Sequence, residues 1–153
     1  MRSGQEKDRT KVFHAPAPYV AIFYGVMALW TVGTVPLIVQ KFQDGWLRGD
    51  WWYAAMVAFF YGYTWYWSLG LFTAVSLDAE GQVVFRSFRR RLTVPAGQIR
   101  AIEGSRFSGG FGFVKFKLSR ESGYLFCYRR DETLDGIIRG IGKANPQVRT
   151  VRI

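Results

Sequence analysis

Arg86 and the run Arg89-Arg90-Arg91 form the densest charge cluster in the chain. Guanidinium groups so spaced can meet phosphate oxygens or anionic lipid headgroups, each basic residue near a charged membrane surface contributing about 1 kcal/mol. They are candidate anionic-lipid contacts. The competing reading is plainer: arginines simply populate the surface of a domain on the cytoplasmic side of a membrane. A second candidate is the stretch from Ser105 to Phe113, where Gly109, Gly110 and Gly112 could turn backbone amides towards an anion. No Lys-Ser/Thr pair follows, and the stretch leads into a strand where a phosphate-binding loop would open a helix, so a flexible hairpin connection is the better reading. With Arg106, Phe107, Phe111 and Phe113 beside the glycines, it is a candidate partner-docking loop, aromatic rings being good interface anchors.

Catalytic and metal chemistry have less to stand on. His14 is the one histidine and Cys127 the one cysteine, so neither a zinc site nor a redox pair can be assembled within one chain. Cys127, between Phe126 and Tyr128, reads as a small buried apolar side chain in a strand. Ser, His and acidic residues are not arranged as nucleophile and base. A pairing of Glu103 with Glu121 or Asp135 is the remaining acid-base arrangement, and any small domain would offer as much. We therefore expect no catalytic residue, no metal and no cofactor. A pI near 10.1 invites a nucleic-acid reading. The basic residues are scattered, however, and no recognition helix or ribonucleoprotein strand motif accompanies them.

The elements that must carry these residues follow from how apolar and charged side chains are sorted. Mean hydropathy is near zero in a chain of 153 residues and formal charge +10, so the two classes must be segregated. No charged side chain occurs from His14 through Gln40, nor from Trp51 through Leu77. Tyr19 to Val39 supplies the ~20 apolar residues a helix needs to cross a membrane, and Trp51 to about Leu71 supplies a second span. Trp51, Trp52 and Tyr53 open that span with rings suited to a lipid-water boundary, and Trp65 and Trp67 are expected at the other boundary. The short connection from Lys41 to Asp50 makes the two spans an antiparallel hairpin. Ala21 and Gly25 on the first helix, and Ala54, Ala58 and Gly62 on the second, form stripes of small residues for helix packing, either within the hairpin or against another membrane protein. Arg2, Lys7, Arg9 and Lys11 before the first span, and the arginines after the second, put both termini in the cytoplasm by the positive-inside rule. Residues 1–17 read as a disordered cytoplasmic tail, 18–71 as the transmembrane hairpin and 72–153 as a cytoplasmic β domain.

In that domain apolar residues alternate with period two, most clearly at Val114, Phe116 and Leu118. Strands are expected at Phe72 to Leu77, Val83 to Phe88, Arg89 to Val94, Ile99 to Glu103, around Val114 to Leu118 and at Gly123 to Tyr128. Asp78-Ala79-Glu80-Gly81 supplies the first turn. Leu134, Ile137, Ile138 and Ile141 recur at helical spacing behind the N-cap Asp131, predicting a helix over about 131–145 that Asn145-Pro146 ends. Gly136, Gly140 and Gly142 each weaken it by about 1 kcal/mol relative to Ala, so it must be held by packing.

The order of elements, with Ser76-Leu77-Asp78-Ala79-Glu80-Gly81 at the first hairpin and Val94-Pro95-Ala96-Gly97-Gln98-Ile99 before a later strand, resembles the bacterial pleckstrin-homology-like membrane proteins. The resemblance covers nearly the whole chain. It implies a bacterial inner-membrane protein in which a bent β-sandwich or partly open barrel is capped by the C-terminal helix. Lipid-binding eukaryotic relatives put basic residues in the loop between their first two strands, where this chain has Asp78 and Glu80, so phosphoinositide recognition of that kind is not implied. Two functions remain in view. One is a non-catalytic module that holds a protein partner at the cytoplasmic face, through a sheet edge, the Ser105 to Phe113 loop or the aromatic second helix. The other is a sensor of anionic lipid through Arg86, Arg89, Arg90 and Arg91. A homo-oligomer is compatible with either.

Overall fold

The computed structural model describes residues 10–43, 51–104, 111–128 and 131–151. It divides into a helical unit, Ala17–Leu69, and a β unit formed by Met1–Pro16 together with Gly70–Ile153.

The helical unit begins with α1 (Ala17–Gln43), 27 residues long and apolar enough to cross a membrane. It outruns the expected 19–39 at both ends. The second helix, α2 (Trp51–Ser68), is 18 residues long. Side chains withdrawn from the surface recur every three or four residues on both, at Val20, Tyr24, Met27, Thr31, Thr34 and Ile38, and at Ala54, Val57, Tyr61, Trp65 and Ser68. That spacing makes one seam along each helix. Polar groups cross it: Tyr24 Oη donates to the Ser68 carbonyl at 2.6 Å, Trp65 Nε1 to Thr31 Oγ1 at 3.0 Å, and the hydroxyls of Thr34 and Tyr61 meet. The small-residue stripe lies mostly elsewhere. Ala54 is on the seam, whereas Ala21, Gly25, Ala58 and Gly62 are exposed, and a Cβ added at Gly25 or Gly62 would meet nothing within 4 Å. Within this hairpin the helices approach through hydroxyls and aromatic rings, not through small residues. The Trp65 indole N–H is turned into the seam towards Thr31, while Trp67 stays 49% exposed.

The β unit contains β1 (Lys11–His14), β2 (Phe72–Leu77), β3 (Gln82–Ser87), β4 (Arg91–Pro95), β5 (Ile99–Glu103), β6 (Phe111–Leu118), β7 (Ser122–Tyr128), α3 (Glu132–Ala144) and β8 (Arg149–Val151). A 3-10 turn, Ala96–Gln98, joins β4 to β5. The mixed sheet runs β4-β3-β2-β7-β6-β5-β8, with β1 also paired to β2. Most neighbours are antiparallel; β2 with β7 and β5 with β8 are parallel. The sheet folds back on itself, for Phe85 of β3 meets Phe116 of β6, ring centroids 4.9 Å apart, although two strands separate them in the order. Phe72, Val75, Ile99, Ile102 and Leu125 complete the interior, which α3 covers with Leu134, Ile137, Ile138 and Ile141.

Strand β1 corrects the reading of residues 1–17 as a disordered tail. Lys11–His14 pairs with β2 in the register Lys11↔Leu77 to His14↔Ala74, and Ala15 N–H donates to the Thr73 carbonyl at 2.7 Å. The reason is Phe13: only 2% exposed, it inserts into the core beside Val75, and burying such a side chain is worth about 2–3 kcal/mol. Residues 1–9 lie outside the described residues. Leu71, assigned to the second span from sequence, is instead 2% exposed within the β unit, one residue before β2.

Local chemistry explains the ends of α3. Asp131 Oδ1 accepts from the backbone N–H groups of Thr133 and Leu134 at 2.9 and 3.0 Å, the N-cap arrangement expected from sequence. Asn145 closes the other end, its Nδ2 donating to the carbonyls of Ala96 and Ile99. At Gly140 an added Cβ would stand 2.5 Å from Leu77 Cδ2, so a side chain there would have to displace that methyl.

Candidate functional site

The arginine cluster belongs to the hairpin of β3 and β4. Val83↔Val94 and Phe85↔Leu92 turn inward and Val84↔Thr93 and Arg86↔Arg91 outward, as strand alternation requires. Arg86 and Arg91 are therefore direct cross-strand neighbours on the exposed face. Like charges so opposed destabilise a pair unless an anion or solvent separates them. Ser87 and Arg90 close the turn: Ser87 N–H donates to the Arg90 carbonyl at 2.9 Å, and Arg90 N–H donates to Ser87 Oγ at 3.0 Å. Phe88 and Arg89 form its tip, with Phe88 63% exposed.

Arg90 differs from its neighbours in having a defined partner. Its guanidinium makes a two-pronged bond to Glu121, Nη1 to Oε1 at 3.2 Å and Nη2 to Oε2 at 2.7 Å, and Cζ lies 5.9 Å from the centre of the Phe72 ring. A planar fork matched to a carboxylate in this way is strongly oriented. Arg90 thus ties the β3–β4 turn to the β6–β7 turn and is committed to the fold, leaving Arg86, Arg89 and Arg91 as the exposed members of the cluster.

Strand register fixes which end of the sheet this is. His14 is opposite Ala74, Ala74 opposite Arg86, and Phe72 opposite Ser87. Both connections of the β unit to the helical unit, after Pro16 and before Gly70, therefore leave at the end occupied by the Ser87–Arg90 turn. The opposite end carries the β2–β3 turn, in which Asp78 Oδ1 accepts from the N–H groups of Glu80 at 3.0 Å and Gln82 at 2.7 Å. Gly81 has φ 76°, a left-handed conformation that glycine adopts without strain. There α3 packs on β1, β2 and the 3-10 turn.

The docking-loop candidates fare unevenly. Arg106 and Phe107, with Gly109 and Gly110, lie outside the described residues, and Phe111 is described only as the first residue of β6. Phe113 is half-buried and packs on its cross-strand partner Phe126, ring centroids 4.9 Å apart, so it serves the sheet. Glu103 and Glu121, weighed above as acid-base candidates, are each paired with a cation, Glu103 with Lys117 at 2.6 Å. The hydrogen bond from Lys117 holds the Glu103 carboxyl below the usual range. Burial pushes the Cys127 thiol up to about 11, which makes it a poor nucleophile near neutrality. Among the described residues no group of three His, Cys, Asp or Glu side chains could hold a metal ion. Compared with known proteins, the chain matches no family model, no curated protein and no solved structure.

Proposed function

We propose that this chain is a non-catalytic membrane-anchored binding module, in which α1 and α2 both cross the membrane and the β unit holds a protein partner at the cytoplasmic face. The observation that carries the reading is the pairing of β1 with β2. These strands flank the helical unit in sequence and are hydrogen-bonded neighbours, which favours an even number of crossings between them. With α1 as one span, the pairing supports α2 as the return, and the aromatic residues Trp51 and Trp52 are suited to its far boundary. The basic flanks then favour the cytoplasm for the β unit.

The non-catalytic part is supported by the employment of four acidic groups: Asp78 and Asp131 shape a turn and a cap, while Glu103 and Glu121 answer Lys117 and Arg90. The pleckstrin-homology-like resemblance is supported by a mainly-β unit whose one helix, α3, follows β7 and packs on the sheet. For a protein partner the sheet offers β8, a short edge strand exposed at each of its residues, to which another chain can add.

Two measurements test this. In a Cys127→Ala background, Gly45→Cys should react with a membrane-impermeant thiol reagent from the outside of intact cells, and Gly97→Cys only after lysis; reaction of both from one side would end the two-span reading. A photo-crosslinker at Thr150 should give a discrete protein adduct, and one at Gly97 should not. Adducts to lipid alone would favour the alternative, an anionic-lipid sensor.

A further inference from the structure

We infer that the exposed arginines Arg86, Arg89 and Arg91, with Phe88 between them, form a lip that rests on the anionic headgroups of the membrane holding the helices and so sets the angle at which the β unit stands on it. This rests on the two-span reading above and adds to it a second contact and a purpose.

Four observations converge. The lip is at the end of the β unit from which both connections to the helical unit depart. Its chemistry suits an anionic surface: three exposed arginines and an aromatic residue, Phe88, that is 63% exposed belong to one two-residue turn and the strand ends beside it. The opposed pair Arg86↔Arg91 gains nothing within the sheet from facing itself, and an anion between the two guanidinium groups would relieve it. The turn at the other end of β3 is by contrast acidic, with Asp78 and Glu80.

An objection is that a protein anchored by two helices has no need of further lipid affinity. The anchor changes what the contact does. With the lip held beside the headgroups, the encounter is intramolecular at an effective concentration in the millimolar range, so a contact too weak to recruit a free domain suffices to select one orientation. Each cation near an anionic leaflet contributes about fivefold to the occupancy of the docked pose. Arg90 is no part of the lip; its bond to Glu121 keeps the turn in shape for the others.

The test uses the whole chain in nanodiscs of phosphatidylcholine with and without phosphatidylglycerol, followed by amide hydrogen exchange. Exchange at Phe88 and Arg89 is expected to be about tenfold slower in the anionic discs, with no change at Ala79 and Glu80, and the difference should vanish in high salt. It should vanish also in the double variant Arg86→Ala/Arg91→Ala, and shrink in Phe88→Ser, with protection of β6 reporting that both remain folded. Equal exchange at Phe88 and Arg89 in the two lipids, with α1 and α2 protected throughout, would overturn the lip and leave the two-span reading standing. Rapid exchange along α2 would overturn both.

Discussion

The β2–β3 and β3–β4 turns close neighbouring strands at opposite ends of the sheet, and they are held by different forces. At the Asp78–Gly81 end the carboxylate of Asp78 is bonded to backbone amides, Gly81 supplies a left-handed residue, and α3 comes so near that a side chain at Gly140 would displace a Leu77 methyl. At the Ser87–Arg90 end the fixing contact is an ion pair, Arg90 with Glu121, whose side chains retain 34% and 35% of their exposure. The second contact joins two partly exposed charged side chains and should therefore weaken in high salt, whereas the first should hardly respond.

Strand β1 joins the two ends, and its removal should be the largest blow to both. Phe13→Ala is expected to cost about 3–5 kcal/mol, read as unfolding of the whole chain in detergent, because it empties a buried site and releases the strand. A loss below about 1 kcal/mol, as for an exposed position, would restore the tail reading. Next in size is the contrast within α3. Gly140→Ala must displace the Leu77 methyl and should therefore stabilise less than Gly142→Ala, where an added Cβ meets nothing within 4 Å and the gain is up to about 1 kcal/mol. Equal effects would deny the close approach at that end. Glu121→Gln should cost about 1 kcal/mol at low salt and less in high salt, while the effect of Gly140→Ala is the same in both. The smallest effect belongs to Glu103. Its pKa is lowered by Lys117, so its contribution is present above the ordinary glutamate value and disappears as pH falls through the lowered one. Lys117→Gln should flatten that acid limb of the stability profile.

Much of the β unit was legible because its signals are local. Period-two alternation marked β6 at Val114, Phe116 and Leu118; Asp131 followed by Leu134, Ile137, Ile138 and Ile141 marked α3 and its cap. Strand β1 escaped because Lys-Val-Phe-His is too short to show a period and its partner Leu77 is far along the chain. The bond between Arg90 and Glu121 escaped for the same reason: nothing near Arg90 in sequence distinguishes it from Arg89 or Arg91. The helix seam had a signal in the hydroxyls Thr31, Thr34, Tyr61 and Ser68, recurring at helical spacing in otherwise apolar runs, which the small-residue stripe obscured.

The pairing of β1 with β2 also governs the order of events at birth. The ribosome delivers β1 first, then the whole helical hairpin, and only afterwards the strand that completes the pair. In the two-span reading, a nascent chain that threads α1 but fails to return with α2 carries Phe72 and everything after it to the wrong compartment. Its sheet cannot close, and Phe13 is left without a core. A finished β unit is in this sense a certificate of correct insertion, and an unfinished one is an exposed, unpaired chain of the kind that quality-control proteases remove.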